Sequence, residues 1–343
     1  MSLALYSQQL TPLAILTNVF VMGAFAVAYA GLSIVRRFWL IPVFGVLEGL
    51  LLAVANAYFL SNAPRLVAPD SPLRAQLFII GFGSIISVVL GYTLFVLFFA
   101  RQGALLFRAR TEIALAGEIH RALVPAIEFH WGAFQIYGAS LPSGDVGGDL
   151  VDIIGGPEAW TAYIADVSGH GVSAGLLMAM FKTAVRTSAG TSAPDVLLQG
   201  VHRALYPLKT RNTFMTAGVL QYKKDDSLHL SLAGHPPLLH YSQRTRHVEE
   251  YPSSDMPVGI LPEQSFSSAT VTCESGDILL LLTDGLSEVF DKTGKELGIE
   301  PIKRAFAKFA DLPLPELFAR LRQVALDAGR QEDDQTMLLV RRT

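Results

Sequence analysis

Residues 165–171 have the sequence Ala-Asp-Val-Ser-Gly-His-Gly, between an apolar strand-like run and an apolar helix-like run. Asp166 therefore stands at the predicted end of a strand, and two glycines leave bare backbone beside its carboxylate. A hard cation prefers oxygen ligands from carboxylates, carbonyls and water, so this turn can hold one. A tight turn with Asp166 as a solvated or capping residue is the alternative. The heptapeptide alone does not decide between the two.

Three further acidic positions follow the same pattern of a carboxylate at the end of an apolar strand. They are Asp149 after two glycines, Asp284 before a glycine, and one of the pair Asp333 and Asp334. Together with Asp166 they predict ligands that converge on one site. Carboxylates without a cluster of histidines or thiols favour Mg²⁺ or Mn²⁺ over Zn²⁺. Two such ions that share aspartates lower the pKa of a bridging water and hold a phosphoryl group, so no side-chain nucleophile is needed.

Composition excludes several other classes of protein. The one cysteine, Cys273, rules out an internal disulfide and a cysteine-rich zinc site. The formal net charge is -3, without a basic stripe or tail, so nothing predicts a nucleic-acid partner.

The first hundred residues have the composition of a membrane domain. Apolar stretches cover residues 12–35, 38–60 and 76–100, and each reaches the roughly 20 residues that cross a bilayer. Arginines follow the first stretch at 36–37 and the third between 101 and 110. The positive-inside rule places both clusters in the cytoplasm. We therefore expect a multi-pass protein of the bacterial plasma membrane with its N-terminus outside and the remaining chain inside.

A connector covers residues 101–130, with a helix predicted from 103 to 124 and a proline at 125. Small and apolar residues recur along it at spacings of three or four. They are Ala109, Ile113, Ala116, Ile119 and Leu123. Two interpretations stay open: the helix lies on the following domain, or it pairs with a second copy as a short parallel coiled coil and forms a homodimer.

Residues 131–343 form a separate domain with short apolar runs and paired helices. Strands are predicted at 134–139, 150–154, 160–165, 213–221, 228–232, 238–241, 266–272, 278–283 and 337–341. Helices are predicted in two pairs, at 173–187 with 194–205 and at 299–309 with 315–328. The fold class is therefore α+β, an antiparallel β-sandwich flanked by paired helices. Three transmembrane helices and the connector precede it.

The domain resembles a known family through six motifs that occur in order. They are GGDLVD (147–152), IADVSGHG (164–171), NTFMT (212–216), AGHPP (233–237), LTDGLSE (282–288) and EDDQT (332–336). This set is similar to the SpoIIE/RsbU-type branch of the metal-dependent protein phosphatases, the protein phosphatase 2C-like superfamily. The likeness runs from about residue 134 to the C-terminus.

The resemblance implies a phosphoserine/phosphothreonine phosphatase that uses two Mn²⁺ or Mg²⁺ ions and a water between them as the nucleophile. Carried over by motif, Asp166 bridges both ions and the Val167 carbonyl binds one. Asp149, Asp284 and Asp333 complete the ligand set. Eukaryotic relatives have a general-acid histidine where this chain has Ser168, so His170 either lies near the phosphate or only shapes the loop.

The resemblance also implies a substrate, a phosphorylated regulatory protein such as a STAS-type anti-sigma-factor antagonist. The membrane spans then serve as an anchor or as a sensor. Two other functions stay open: a catalytically silent receptor that uses the same fold to bind a partner, and a hydrolase of small phosphoesters.

Overall fold

Two antiparallel β-sheets lie face to face in the C-terminal part of the chain. The computed structural model describes residues 21, 24–25, 28, 43–51, 54, 110–169, 171–188, 193–209, 212–223 and 227–343. The chain divides into two compact units, Met1–Gly103 and Ala104–Thr343. The sheets belong to the second unit.

One sheet has six strands and the other has five. The first contains, in spatial order, β1 (Ile127–Trp131), β2 (Phe134–Leu141), β11 (Gln335–Arg342), β10 (Ile278–Leu282), β7 (Leu238–Ser242) and β8 (His247–Tyr251). The second contains β3 (Leu150–Gly156), β4 (Ala159–Val167), β5 (Met215–Tyr222), β6 (Leu228–Ala233) and β9 (Ala269–Val271). All neighbouring strands in both sheets are antiparallel.

A pair of helices covers the outer face of each sheet. Helices α1 (Val172–Ser188) and α2 (Pro194–Leu205) pack on the five-stranded sheet. Helices α3 (Glu300–Phe309) and α4 (Leu314–Ala328) pack on the six-stranded sheet. A short 3₁₀ helix, Asp284–Leu286, follows β10. The result is a four-layer α-β-β-α domain.

Strand β10 shows why the central strands are apolar without interruption. Its side chains alternate between two cores, as the two-residue period of a strand requires. Leu279 and Leu281 pack between the sheets, whereas Ile278, Leu280 and Leu282 pack under α3 and α4. Both faces of the strand are buried, so every position is apolar.

The structure confirms the α+β class and the antiparallel sheets. Strands β1 and β8 lie outside the predicted set. Both are edge strands of the six-stranded sheet and carry exposed polar residues, for example Glu128 in β1 and Glu249 in β8. Their apolar signal is therefore weak.

The connector is helical from residue 110 through residue 123. Gly117, His120 and Val124 are buried, whereas Ile113 and Ile119 are 40% and 54% exposed. The buried face thus differs from the predicted stripe. It includes a glycine because the carbonyl oxygen of Asp145 lies 2.7 Å from where a Cβ on Gly117 would stand. Pairing of two connectors stays a prediction.

A buried ionic network ties this helix to the domain. The Asp152 carboxylate accepts hydrogen bonds from Tyr163 Oη at 2.7 Å and from Arg186 Nε at 2.8 Å, and Lys182 Nζ lies 3.1 Å away. Burial raises the pKa of Asp152, but the Arg186 and Tyr163 hydrogen bonds outweigh it and the pKa falls below its usual value. Lys182 also donates to the backbone carbonyl of Leu123, the last helical residue of the connector.

Among the described residues, no helix combines the length and the apolar character needed to cross a membrane. The predicted spans, 12–35, 38–60 and 76–100, lie mostly outside those residues. The spans, and the domain boundaries at 100 and 130, therefore stay predictions.

Candidate metal centre

Four strand ends bring the predicted acidic ligands to one edge of the sandwich. Asp149 immediately precedes β3, and Asp166 is the next-to-last residue of β4. Asp284 begins the 3₁₀ helix after β10, and Asp333 lies two residues before β11. Two of these residues come from each sheet, so the site lies where the sheets meet.

Burial and mutual repulsion raise the pKa values of three of these carboxylates. Burial, followed by the charges of Asp284 and Asp333, raises the pKa of Asp166 to about 7. Burial and the charge of Asp166 raise the pKa of Asp149 well above its usual value. The pKa of Asp284 also rises, through burial and then the charge of Glu288. Buried carboxylates that repel one another are the donor set that divalent Mg²⁺ or Mn²⁺ neutralises, so these residues fit such ions.

The Val167 carbonyl lies beside Gly148, the residue before Asp149. A Cβ on Gly148 would stand 2.8 Å from the Val167 oxygen and 3.4 Å from the Gly169 oxygen. The double glycine before Asp149 thus allows two backbone segments to lie against each other, which puts the Val167 carbonyl beside the loop that carries Asp149.

The adjacent acids Asp333 and Asp334 have different environments. Asp334 is 5% exposed, and its two carboxylate oxygens accept backbone N–H groups from Ser143 and Gly148, each at 2.7 Å. The N–H of Asp149 adds a third bond at 3.3 Å. Asp333 is exposed and lines a cavity. Asp334 therefore holds the Asp149 loop. Asp333 accepts the Asp334 N–H through one carboxylate oxygen, Oδ1, at 2.8 Å, and its role as the ligand, which the motif implies, stays a prediction.

Ser168 has a structural role. Its hydroxyl accepts the Phe214 N–H at 3.0 Å, and its own N–H donates to the Phe214 carbonyl at 3.0 Å. These bonds tie the Asp166 loop to the start of β5. His170 lies outside the described residues, and its role stays a prediction.

His235, in the AGHPP motif, is a neutral buried histidine. Burial lowers its pKa to about 3. Its Nδ1 lies 2.9 Å from Thr216 Oγ1. Near neutral pH its imidazole is uncharged and therefore does not act as a general acid, and the bond to Thr216 is structural.

A cavity of about 500 Å³ opens beside Asp333. The connector contributes Ile113, the β2–β3 loop contributes residues 143–146, and the start of α1 contributes Val172. Glu332 lies next to Asp333 in its wall. Of the four candidate ligands, Asp333 lines this cavity.

A second cluster, His240, Cys273 and Asp277, has side chains that could ligate a metal. The carboxylate of this cluster is already satisfied. Asp277 pairs with His240 Nε2 at 2.9 Å and accepts the backbone N–H groups of Gln243 and Glu274. Burial also raises the pKa of the Cys273 thiol to about 12, which keeps it protonated. We interpret this cluster as a structural hydrogen-bond network.

The domain is similar to known proteins in sequence and in fold. The family model described as Stage II sporulation protein E (SpoIIE) matches residues 156–343, which include three of the four acidic ligands and exclude Asp149. Phosphoserine phosphatase RsbU of Bacillus subtilis (strain 168) is 26% identical over 187 residues, 54% of this chain and 56% of RsbU. The chain thus spans little more than half the length of that relative.

Two solved structures are similar in fold. The SiaA-PP2C domain of Pseudomonas aeruginosa has a TM-score of 0.60 and 21% identity, and the match covers 69% of this chain and 98% of that one. RsbX in complex with magnesium has a TM-score of 0.52 and 16% identity, with coverage of 64% and 100%. At these identities the likeness concerns the fold.

The first prediction separates the two adjacent acids. Asp333→Asn should weaken Mn²⁺ binding about tenfold or more, with unchanged stability in EDTA. Asp334→Asn should lower the free energy of unfolding in EDTA by about 1–3 kcal/mol, because the new amide NH₂ faces backbone N–H groups. Denaturant unfolding and Mn²⁺ titration measure both effects. The reverse pattern would transfer the ligand role to Asp334.

The second prediction concerns pH. Unfolded Asp166 loses its proton near the ordinary aspartate pKa of 3.8, whereas in the metal-free folded state it keeps the proton up to about pH 7. At Asp166 the folded state therefore binds more protons in this window, and the stability that this residue contributes to the metal-free domain falls as pH rises from about 4 to about 7.

Added Mn²⁺ requires the ionised carboxylates, so its stabilising effect should grow over the same range. Unfolding midpoints in EDTA and in saturating Mn²⁺, from about pH 5 to about pH 8, measure this. Asp166→Asn is the control and should flatten the EDTA curve. A wild-type midpoint in EDTA that does not fall relative to that of Asp166→Asn across the window would contradict the prediction.

Proposed function

The chain belongs to the SpoIIE family, and from this premise we propose that it is a metal-dependent protein-serine/threonine phosphatase. The observation that carries the proposal is the meeting of Asp149, Asp166, Asp284 and Asp333 at the edge where the two sheets join. Each comes from a different strand end, and all four positions of the ligand set are aspartate. The likeness to a phosphoserine phosphatase and to a magnesium-bound relative supports both the reaction and the metal.

Each residue has a distinct task in this proposal. Two Mn²⁺ or Mg²⁺ ions, when bound, would activate water for in-line attack and neutralise charge on the phosphoryl group. Asp166, whose pKa is raised by burial and then by the charges of three other acids, would supply its charge to both ions. The Val167 carbonyl and Asp149 approach from the five-stranded sheet, and Asp284 and Asp333 approach from the six-stranded sheet.

The proposed substrate is a phosphorylated regulatory protein, specifically a STAS-type anti-sigma-factor antagonist. The likeness to the phosphoserine phosphatase RsbU supports a phosphorylated serine as the group that is hydrolysed. A cavity of about 500 Å³, bounded by the connector and by the loops before β3 and β11, is large enough to admit a phosphorylated side chain with its flanking backbone.

The third prediction tests the reaction. Asp166→Asn should reduce hydrolysis of a phosphoserine protein and of a small chromogenic phosphoester by about 10³-fold or more, because the amide removes charge shared by both ions. Circular dichroism should show a folded protein. Substantial turnover at saturating Mn²⁺ would rule out the bridging role. A wild-type protein without any turnover would favour the silent receptor.

The physiological substrate follows from a comparison of cells that carry the wild-type chain and cells that carry Asp166→Asn. Quantitative phosphoprotein mass spectrometry should show one or a few proteins that become more phosphorylated in the variant. A STAS-type protein among them would support the proposed substrate, and its absence would contradict that assignment.

We also propose that residues 1–100 anchor the phosphatase in the bacterial plasma membrane through three spans. The apolar stretches and the arginines at 36–37 and 101–110 support this topology. The N-terminus would then lie outside and the phosphatase domain in the cytoplasm.

The fourth prediction tests this topology. A reporter enzyme that is active only outside the cytoplasm should be silent when fused after Thr343, because an odd number of spans leaves the C-terminus inside. The same reporter fused within residues 61–75, between the second and third spans, is the positive control. Activity of the C-terminal fusion would mean that a span was miscounted.

A further inference from the structure

Two threonines hold one oxygen of the Asp149 carboxylate. The hydroxyl of Thr283 donates to Asp149 Oδ2 at 2.8 Å, and the hydroxyl of Thr336 donates to the same atom at 2.5 Å. Both threonines have an exposure of 0%, and Asp149 has an exposure of 2%. A carboxylate oxygen has two lone pairs, so these two donors occupy Oδ2 and leave Oδ1 for a cation.

The threonine hydroxyls are themselves fixed. The Thr336 N–H donates to Thr283 Oγ1 at 3.1 Å, and the Thr283 N–H donates to the Thr336 carbonyl at 3.0 Å. Ser140 Oγ lies 2.8 Å from Thr336 Oγ1. Neither threonine can rotate away without the loss of a buried hydrogen bond.

The two threonines also link three of the ligand-bearing loops. Thr283 precedes Asp284, and Thr336 follows Asp333 by three residues. Their shared bond to Asp149 Oδ2 joins the ends of β10 and β11 to the start of β3. The orientation of Asp149 is therefore set by the same contact that sets its position relative to Asp284 and Asp333.

We propose that Thr283 and Thr336 are positioning residues that restrict Asp149 to ligation through one oxygen and thereby make the centre prefer Mn²⁺ and Mg²⁺ over Ca²⁺. This inference rests on the proposed metal-dependent function. Mg²⁺ requires a nearly regular octahedron with short bonds, which single-oxygen ligands provide. Ca²⁺ accepts more ligands at longer distances and often binds both oxygens of a carboxylate. A carboxylate with one oxygen already occupied cannot offer that geometry.

The test is a metal-binding measurement on the full-length protein purified in detergent. Calorimetric titrations with Mn²⁺, Mg²⁺ and Ca²⁺ compare the wild type with Thr336→Val and Thr336→Ser. Thr336→Val should weaken Mn²⁺ binding about 10–100-fold, with a smaller loss for Ca²⁺, so the Mn²⁺-to-Ca²⁺ preference falls. Thr336→Ser keeps the hydroxyl and should retain the wild-type preference.

Thr161→Val is a matched control. Thr161 is a buried threonine of β4 whose hydroxyl accepts a hydrogen bond from Gln221 Nε2 at 3.2 Å, away from the carboxylates. Its Mn²⁺-to-Ca²⁺ preference should equal that of the wild type. If Thr336→Val does not fold, as judged by circular dichroism in EDTA, Thr283→Val decides the question, because its hydroxyl serves the same oxygen.

A folded valine variant with an unchanged Mn²⁺-to-Ca²⁺ preference would overturn the proposal. A serine variant as impaired as the valine variant would do the same, since it would show that the methyl group and not the hydroxyl matters. Binding is measured without turnover. A wild-type protein that binds Mn²⁺ tightly but hydrolyses no phosphoester would therefore contradict the proposed function and leave this test valid.

Discussion

The structure depends on the need to hold several mutually repelling carboxylates within one small volume. The domain does so with neutral donors. Backbone N–H groups fix Asp334, and threonine hydroxyls fix Asp149. Asp152, only three residues after Asp149, is instead paired with Lys182 and Arg186.

The two kinds of environment shift the aspartate pKa values in opposite directions. The cationic partners lower the pKa of Asp152, whereas burial and the neighbouring acids raise the pKa of Asp149. A carboxylate neutralised by arginine is a structural element, because its charge is already balanced. A carboxylate oriented by hydroxyls keeps its charge for a cation that arrives from solution. The chain thus separates its structural acid from its ligand acids by the kind of donor that each one meets.

Much of this arrangement could be predicted from the sequence, because it depends on local patterns. Uninterrupted apolar runs such as the one in β10 predict a strand buried on both faces, and a carboxylate after such a run predicts a ligand at the sheet edge. The pairs of apolar helices also predict layers outside the sheets.

Contacts between segments that are distant in sequence could not be predicted in this way. Asp334 and Ser143 meet across 191 positions of sequence, and no local pattern reports that contact. Thr283 and Thr336 are visible in the TDG and DQT motifs, but a threonine beside an aspartate does not identify its hydrogen-bond acceptor.

The buried face of the connector helix could not be predicted from the sequence periodicity either. Periodicity identifies apolar residues, yet the face that packs on the domain contains Gly117 and His120. At position 117 the Asp145 carbonyl lies against the helix and leaves no room for a side chain, so the residue is glycine. The same principle recurs at Gly148, against the Val167 carbonyl, and at Gly285, where a Cβ would collide with the Asp334 carbonyl.

These glycine contacts explain how a rigid site is built from loops. Residues 143–149 have the connector helix on one side, at Gly117, and the Asp166 loop on the other, at Gly148. Asp334 lies beside them and accepts N–H groups from both ends of the segment. A loop in contact with backbone on two sides and bonded to a buried carboxylate has little room to shift. The position of Asp149 is therefore a property of the whole packed unit, connector included, and not of its own loop alone.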